Sequence, residues 1–219
     1  KRVNAVLFDA ALFTNLTQDH LDYHLDLEAY FHAKRRLFNE LLYKSEKKDK
    51  CAVINYEDIY GKRLIQQTQA YPVFSFSTQL HAVEASIFPL ELELNLHGIQ
   101  MLVKTPWEVI ELNSPLLGRF NASNLLGALG IARGLKIEPS IIQTALAQLT
   151  TIPGRLERVP NSKNIHVFVD YAHTPDALEK ALSTLKNLLP SHAKQKLWVV
   201  FGCGGDRDAK KRPLMGQVA

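Results

Sequence analysis

The sequence predicts an α/β protein, and three patterns within its 219 residues support that prediction. Near-continuous apolar runs at 3–13 and 51–55 are typical of buried strands in a largely parallel sheet. From 82 to 112 apolar and polar residues alternate, which predicts an antiparallel meander attached to that sheet. A strand, a helix and a second strand follow one another from 165 to 202, which predicts a βαβ unit with parallel strands.

The composition is ordinary for a soluble globular protein, and the mild positive charge would suit anionic substrates. Hydrophobic residues make up 46% and charged residues 22%, and the net charge is +4. The basic residues are spread out, and the mixed run KSEKKDK at 44–50 is typical of a solvated helix end. We therefore expect no nucleic-acid partner, whereas a mild positive balance suits nucleotides.

The cysteines and the hydropathy of the sequence indicate the compartment in which the protein works. The two cysteines, Cys51 and Cys203, form no CxxC motif, which argues against a disulfide framework and favours a reducing compartment. No apolar run approaches the roughly 20 residues that span a membrane. We expect a cytoplasmic monomer with no membrane partner. The chain starts at Lys1 without a methionine, so we expect a fragment of a longer protein.

The first region should contain three buried strands and two helices. The strand at 3–13 is broken only by Asp9, and a helix follows it. The second strand is 51–55, a polar helix spans 61–70, and the third strand spans 72–77. The meander then consists of two alternating strands joined at His97-Gly98 and a third strand after Thr105-Pro106. We identify no candidate catalytic or binding residues in the meander.

Lys34 is the anomalous residue of the first helix. The apolar residues of that helix step by three and four, as an amphipathic helix requires: Leu27, Tyr30, Phe31, Leu37, Phe38, Leu41 and Leu42. Lys34 falls on the same stripe, where an unpaired ammonium costs several kcal/mol, on the order of the ion penalties in proteins. A buried lysine therefore tends to lose its proton, and a neutral amine can take up carbon dioxide and ligate a metal as a carbamate. The alternative is a lysine that snorkels to solvent.

His20 is a possible metal-ligating partner of Lys34. It lies four residues before His24, with Asp19 and Asp22 nearby. The metal interpretation places His20 opposite Lys34 at the start of the helix. The alternative is an ordinary helix N-terminus with solvated charges.

Two further helices precede a domain boundary. GRFNASNLLGALGIARGL at 118–135 has Asn121 and Ser123 as candidate N-caps, although amides at a helix start also suit a base or phosphate. The next helix begins near Pro139 with one apolar face: Ile141, Ala145, Leu146 and Leu149. The segment 150–160 lacks a period and holds two prolines. We place the boundary near Gly154, which gives domains 1–153 and 154–219.

The βαβ unit predicts a ligand-binding edge. Thr174 and Pro175 are typical of the start of its helix, whose buried stripe we expect to be Leu178, Leu182, Leu185 and Leu189. Loops 170–174 and 202–208 both follow strand ends, so in parallel strands they meet at one edge. The second loop continues as GCGGDRDAKKRP at 202–213, which carries three glycines and four basic residues. This is a weak signal for a dinucleotide site.

Four segments together resemble the Mur ligases. FTNLTQDHLDYH at 13–24 and EAYFHAKRRLF at 28–38 resemble the central domain of that family. DYAHTPDALEKAL at 170–182 and FGCGGDRDAKKRPLM at 201–215 resemble the opening of its C-terminal domain. The resemblance implies a central ATP-binding domain with a mixed sheet, followed by the start of a Rossmann-like ligase domain.

The resemblance also implies an activity. It is strongest to those family members that add the third residue of the peptidoglycan stem peptide. These use ATP to add meso-diaminopimelate or L-lysine to UDP-MurNAc-L-Ala-D-Glu through an acyl phosphate. The family's lysine at Lys34 is carbamylated, and its histidine at His20 binds magnesium. The other implied contacts are adenine at Asn121 and Asn124, the nucleotide at Arg155, the ribose at Asp170, the phosphates at His173 and Lys211, the amino acid at Arg207 and the UDP-sugar at Arg2.

Two alternatives stay open at this point. The family's GTxGKT-type phosphate loop would precede Lys1, so we expect residues 1–219 alone to be inactive. The chain could instead be a non-catalytic nucleotide-binding module that lacks a phosphate loop. It could also be another ligase of the superfamily, such as a tetrapeptide or folylpolyglutamate enzyme, although the pairing of FTNLTQDHLDYH with GCGGDRD argues against that.

Overall fold

The computed structural model describes the chain in six ranges: 6–16, 26–149, 152–163, 165–189, 196–203 and 211–219. Within these ranges the strands form a three-stranded parallel sheet, a three-stranded antiparallel sheet and a two-stranded ladder. The α/β class with a parallel sheet and an antiparallel meander is therefore confirmed.

The parallel sheet has the order β1-β2-β3. Its strands are β1 (Ala10–Phe13), β2 (Cys51–Asn55) and β3 (Val73–Phe76). The first strand is shorter than the apolar run at 3–13 suggested. Residues 6–9 lie outside it because β2 begins at Cys51, directly opposite Ala10.

Two helices pack on this sheet near the ends of β1 and β2. Helix α1 (Leu27–Arg36) continues as a π-helical segment (Leu37–Leu42), and α2 spans Ile59–Gln67. Six of the seven stripe residues predicted for the first helix lie in or against this core, with Phe31, Phe38 and Leu42 fully buried, and Leu64 adds the buried contact of α2. Helix α2 begins two residues earlier than predicted because Asp58 caps it, accepting hydrogen bonds from the backbone of Tyr60 and Gly61.

The predicted meander is present. Its strands are β4 (Phe88–Asn95), β5 (Gly98–Lys104) and β6 (Val109–Ser114), paired antiparallel in the order β4-β5-β6. Burial alternates residue by residue along β6, as a sheet with one solvated face requires. The buried face packs into the same core as helix α3.

Helices α3 (Arg119–Gly134) and α4 (Pro139–Ala147) confirm two predicted elements and correct two details. Asn121 is not an N-cap, because α3 starts at Arg119 and the preceding Gly118 takes the cap position at φ 83°, where a side chain would be strained. Ile141 was placed on the buried face of α4, but it is exposed. Ile142 is buried instead, because the register of α4 turns that residue toward the core.

The C-terminal part differs most from expectation. Strand β7 (Glu157–Arg158) pairs antiparallel with β8 (Phe168–Val169), and helices α5 (Pro175–Leu188) and α6 (Lys211–Val218) pack together. The start of α5 is as predicted, with Thr174 capping the backbone of Ala177.

The predicted second strand of the βαβ unit is wrong for the described residues. Residues 196–203 are not in a strand, so the parallel pairing is not formed. A strand needs a hydrogen-bonded neighbour, and this segment has none within the six ranges. Trp198 is 83% exposed and Val200 is fully exposed. No helix in the six ranges combines the length and apolar character needed to cross a bilayer.

Gly61 generates a stability prediction, because its backbone lies directly against β2. A Cβ atom at this position would lie far inside van der Waals contact with the carbonyl oxygen of Asn55, a backbone atom that cannot move aside. We expect Gly61→Ala to lower the free energy of unfolding by roughly 1–3 kcal/mol. Urea unfolding followed by circular dichroism measures this change.

Gly216 of α6 is the matched control, since no atom of the described residues lies within 4 Å of its added Cβ. Gly216→Ala should be neutral or stabilise by about 0.5–1 kcal/mol, because alanine restricts the unfolded chain and favours helix. Equal urea midpoints for Gly61→Ala and the parent protein would contradict the close approach of α2 to β2.

Tyr71 should make the free energy of unfolding depend on pH in the alkaline range. Its hydroxyl donates a hydrogen bond of 2.9 Å to the carbonyl of Phe38, and burial, with a smaller contribution from Cys51, raises the pKa of Tyr71 to about 12. The unfolded chain loses this proton near pH 10, so the folded state binds more protons between about pH 10 and 12. Stability should therefore fall as the pH rises through that window, by roughly 2 kcal/mol.

The comparison of the parent protein with Tyr71→Phe tests this assignment. We expect the parent to lose more stability than the variant between about pH 9.5 and about pH 11.5, measured by urea unfolding at both values. The same loss in both proteins would show that Tyr71 keeps an ordinary pKa.

Candidate functional site

Lys34 lies in a shallow concavity at the carboxyl end of β1. The concavity has a volume of about 170 Å³. Helix α1 and the π-helical segment form one wall, and the end of β1 with the following loop forms the other: Leu12, Phe13, Thr14, Asn15, Ala33, Lys34, Leu37 and Phe38. In open α/β sheets the carboxyl edge of parallel strands is where ligands bind.

Lys34 is half-buried, which agrees with the alternative of a lysine that snorkels to solvent and not with an amine buried in the apolar stripe. Its Nζ lies 4.9 Å from the centroid of the Tyr30 ring on the same helix, within the range of a cation–π contact. The stem covers apolar surface while the amine reaches this ring and the mouth of the concavity. The position of Lys34 beside the sheet edge, and not complete burial, is what favours a ligand-binding role.

The loop after β1 is fixed by groups that follow β2. The backbone N–H of Leu16 donates to Asp58 Oδ2 at 3.0 Å, and Asn55 Nδ2 donates to the carbonyl of Thr14 at 2.8 Å. Asp58 uses its other oxygen to cap α2. The wall opposite Lys34 is therefore held by hydrogen bonds and does not depend on packing alone.

A metal at this concavity would need oxygen donors. Thr14 and Asn15 line the concavity beside Lys34, and hydroxyl and amide oxygens are donors that Mg²⁺ accepts. Lys34 joins this set only as a carbamate, which supplies a carboxylate-like oxygen. Within the six described ranges, no group of three or more His, Cys, Asp or Glu side chains could hold a metal. His20, the predicted partner, lies outside the described residues, so the residues present fit magnesium only in part.

The start of α3 lies at the same edge of the sheet. Arg119 Nη1 donates to the carbonyl of Thr78 at 3.1 Å, just after β3. The carboxylate of Glu57, just after β2, accepts hydrogen bonds from the side chain of Ser77 and from both the backbone and side chain of Thr78. Glu57 and Arg119 therefore join the ends of β2 and β3 to the start of α3.

The two asparagines at the start of α3 differ in their surroundings. Asn121 is 1% exposed, and its Nδ2 donates to the carbonyl of Leu117 at 2.9 Å. Asn124 is exposed, and its Nδ2 lies 3.4 Å from Asn121 Oδ1. Asn124 is thus available to a ligand. Asn121 instead uses its amide to bind the backbone at the helix start and to orient Asn124.

Arg155 and Asp170 are brought together at the predicted domain boundary. The two oxygens of Asp170 accept hydrogen bonds of 2.8 Å from the backbone of Leu156 and Ala172. Leu156 is buried and has φ 44°, a conformation that costs energy for a residue with a side chain and that the Asp170 contact helps to hold. The side chain of its neighbour Arg155 is exposed and borders a cavity of about 100 Å³.

That cavity connects the boundary to the start of α3. Leu117 lines it together with Arg155 and also accepts the hydrogen bond from Asn121. On the other side of Asp170, His173 is exposed, and Lys211 Nζ donates to its carbonyl at 3.2 Å. Six predicted site residues therefore fall into two neighbouring groups: Asn121, Asn124 and Arg155, and then Asp170, His173 and Lys211.

Other predicted residues lie outside the described ranges: Arg2, His20 and Arg207. The sequence-based prediction missed Thr14, Asn15, Glu57 and Asp58. Their shared signal is position, because each directly follows β1 or β2 at the carboxyl edge.

Comparisons with known proteins agree over the whole chain. The model for the Mur ligase middle domain matches residues 1–132, and that for the Mur ligase glutamate ligase domain matches residues 154–219. The UDP-N-acetylmuramoyl-L-alanyl-D-glutamate--2,6-diaminopimelate ligase of Geobacter sulfurreducens is 43% identical over 220 residues, covering 100% of this chain and 42% of the relative. The chain thus spans less than half the length of such relatives.

Two solved structures share the fold. A structure of a UDP-N-acetylmuramoyl-L-alanyl-D-glutamate--2,6-diaminopimelate ligase has a TM-score of 0.73 at 37% identity, covering 100% of this chain and 43% of that one. The folylpolyglutamate synthase of Mycobacterium tuberculosis complexed with ADP and AMPPCP has a TM-score of 0.68 at 21% identity. It covers 85% of this chain and 41% of that one, and at that identity it shows the fold alone.

Asp170 generates a local stability prediction. Asp170→Ala removes the acceptor for two backbone N–H groups, and an unsatisfied group costs about 1–3 kcal/mol. We expect amide hydrogen exchange at Leu156 and Ala172 to accelerate by about tenfold or more, measured by mass spectrometry on peptides that cover each amide.

Asp176→Ala is the control, because Asp176 pairs only with Lys180 on the exposed face of α5 among the contacts of its carboxylate described here. It should leave exchange at Leu156 and Ala172 unchanged. If Asp170→Ala also leaves both amides unchanged, Asp170 does not hold the boundary segment.

Proposed function

The chain belongs to the Mur ligase family, and we propose that it is the core of an ATP-dependent ligase of peptidoglycan synthesis. The reaction would join meso-diaminopimelate or L-lysine to UDP-MurNAc-L-Ala-D-Glu. The observation that carries the proposal is the 43% identity, along the entire chain, to a relative named for that reaction with diaminopimelate. We propose that residues 1–153 belong to the central ATP-binding domain and that 154–219 begin the C-terminal ligase domain.

The proposed chemistry has two steps. The terminal carboxylate of UDP-MurNAc-L-Ala-D-Glu attacks the γ-phosphorus of ATP, which forms an acyl phosphate and releases ADP. The amine of the diamino acid then attacks the acyl carbon, which forms the amide and expels inorganic phosphate. Phosphoryl transfer of this kind depends above all on positioning and on neutralising charge.

Positioning is the contribution that the described residues support best. Asn124 is exposed at the start of α3 and would contact adenine, with Asn121 orienting it. Asp170 would hold the ribose and Arg155 the nucleotide beside it, because the two lie together at the boundary. His173 and Lys211, which contact each other, would lie near the phosphates. Arg207 would contact the incoming amino acid, and Arg2 the UDP-sugar.

Magnesium would supply charge neutralisation on the phosphate oxygens when bound. We propose that His20 and the carbamate form of Lys34 would hold it. The position of Lys34 beside Thr14 and Asn15 at the carboxyl edge of β1 supports this assignment. The free Cys51 and Cys203 support a cytoplasmic location, and we propose a monomer.

The direct test is amino-acid-dependent ADP release by the complete gene product that contains this chain. We expect release to require UDP-MurNAc-L-Ala-D-Glu and to distinguish diaminopimelate from lysine. Residues 1–219 alone should release none, because they contain no GxxxxGK[ST] phosphate loop. Nucleotide binding without any ADP release by the complete protein would instead favour the non-catalytic module. ADP release only with an elongated peptide or a folate would favour another ligase of the superfamily.

Lys34→Ala tests the proposed metal ligand in the same assay. We expect the complete protein to lose about 100-fold or more in kcat, because one misplaced charge-neutralising group costs on this order. A short carboxylate such as acetate should restore part of the activity if Lys34 works as a carbamate.

Lys47→Ala is the control, since Lys47 pairs with Asp9 on the surface at 3.3 Å. It should keep parental activity with or without acetate. A Lys34→Ala protein that turns over at the parental rate would remove Lys34 from the site.

A further inference from the structure

We propose that Arg63 of helix α2 is a positioning residue for Lys34, because it clamps helix α1 in the rotation that points Lys34 at the carboxyl edge of β1. This inference rests on the proposed function for the role of Lys34. The clamp itself comes from contacts that neither the sequence pattern nor the comparisons single out.

The clamp is a two-point ion pair backed by two aromatic rings. Arg63 Nη1 lies 2.6 Å from Glu28 Oε1, and Nη2 lies 3.0 Å from Oε2. The guanidinium carbon lies 4.7 Å from the ring centroid of Phe31 and 5.4 Å from that of Tyr60. Single surface ion pairs contribute little, but a fork-to-fork pair fixes orientation, and stacking on two rings adds to that.

The titration behaviour of the pair agrees with its geometry. Hydrogen bonding to Arg63 lowers the pKa of Glu28, and hydrogen bonding to Glu28 raises the pKa of Arg63. Both groups therefore stay charged around neutral pH.

The clamp holds one end of a longer seam between α1 and α2. Farther along the same side of the helix, Arg35 Nη1 donates to Gln67 Oε1 at 3.0 Å. In the π-helical segment, Asn39 Nδ2 donates to the carbonyl of Gln67 at 3.4 Å. Glu28, Phe31 and Arg35 therefore define the side of α1 that faces α2.

Lys34 lies about a quarter of a turn around the same helix from that side, since successive residues of an α-helix are about 100° apart. It lines the concavity with Ala33 and Leu37, against Thr14 and Asn15. A helix with its side chains is about 10–12 Å wide, so a rotation of roughly 10° moves a surface group by about 1 Å. A displacement of about 1 Å at a reacting site can cost about 100-fold in rate. Contacts on the α2 side therefore set where the amine of Lys34 lies.

Helix α2, which carries Arg63, is itself anchored to the loop after β1, the wall of the concavity that Lys34 faces. Helix α2 starts at Asp58, and the same carboxylate accepts the hydrogen bond from Leu16 in the loop after β1. The contacts thus run from β1 through Asp58 to α2, from Arg63 to Glu28, and along α1 to Lys34. Arg63 is the link by which α2 fixes both walls of the concavity relative to each other.

The test measures the reactivity of the Lys34 amine, not catalysis. The chain is treated with a limiting amount of an amine-acylating ester, and the labelling rate of each lysine is read by mass spectrometry. We expect Arg63→Gln to raise the labelling rate of Lys34 by about threefold or more, because a freed helix samples more open orientations. Glu28→Gln, which breaks the same fork from the other side, should have the same effect.

Arg36→Gln is the matched control. Arg36 lies on the same helix and pairs with Glu40 at 3.0 Å within the helical run, without bonding α2 in the contacts described. It should leave Lys34 labelling unchanged. Lys50, which donates to the carbonyls of Tyr43 and Ser45, is the internal reference for overall opening. Unchanged or slower labelling of Lys34 in both clamp variants, with Lys50 steady, would overturn the proposal.

A second readout connects the clamp to the proposed reaction. In the complete gene product, Arg63→Gln should lower kcat by about tenfold or more with little change in the KM for ATP, as expected of an effect on position. If the parent protein releases no ADP, the proposed function fails while the labelling result still decides the role of Arg63. A labelling change without a kcat change in an active enzyme would show that the clamp is only structural.

Discussion

The carboxylate of Asp58 is the contact on which the candidate site depends. One oxygen accepts the backbone N–H of Leu16, and the other accepts those of Tyr60 and Gly61. A single side chain therefore fixes the loop after β1 and the start of α2 at the same point. Because β1 and β2 are parallel neighbours, both segments leave the sheet at one edge. The loop after β1 forms one wall of the concavity of Lys34, and helix α1, which packs beside α2, forms the other.

The rest of that edge uses the same kind of contact. Glu57 accepts hydrogen bonds from Ser77 and Thr78, and Arg119 donates to Thr78, so the ends of β2 and β3 and the start of α3 are joined by charged side chains. Charge-assisted hydrogen bonds of this type are shorter and stronger than neutral ones. The family's chemistry needs groups held in place more than it needs unusual reactivity. The fold meets that need by fixing backbone at the sheet edge, and the side chains proposed to bind ligands project from it.

Much of this arrangement could be predicted from the sequence, where local pattern and final environment agree. The apolar run at 51–55 became β2, and the third meander strand predicted at 107–112 became β6, two residues later in the chain. Burial on both faces produces a continuous apolar run, and burial on one face produces alternation. The depth of Lys34 could not be predicted, since it depends on where the Tyr30 ring lies in three dimensions. The clamp between Glu28 and Arg63 could not be predicted either, because the two residues are 35 positions apart and no periodicity links them. Residues 196–203 failed as a strand because strand formation needs a partner as well as an apolar sequence.

The most direct measurement is a crystal structure of the complete gene product with a non-hydrolysable ATP analogue and Mg²⁺. We predict that the phosphates bind at the carboxyl edge of the β1-β2-β3 sheet and that Lys34 Nζ shows density for a carbamate directed at the metal. A nucleotide bound away from that edge, or an unmodified Lys34 turned to bulk solvent while the nucleotide is bound, would contradict the proposed site.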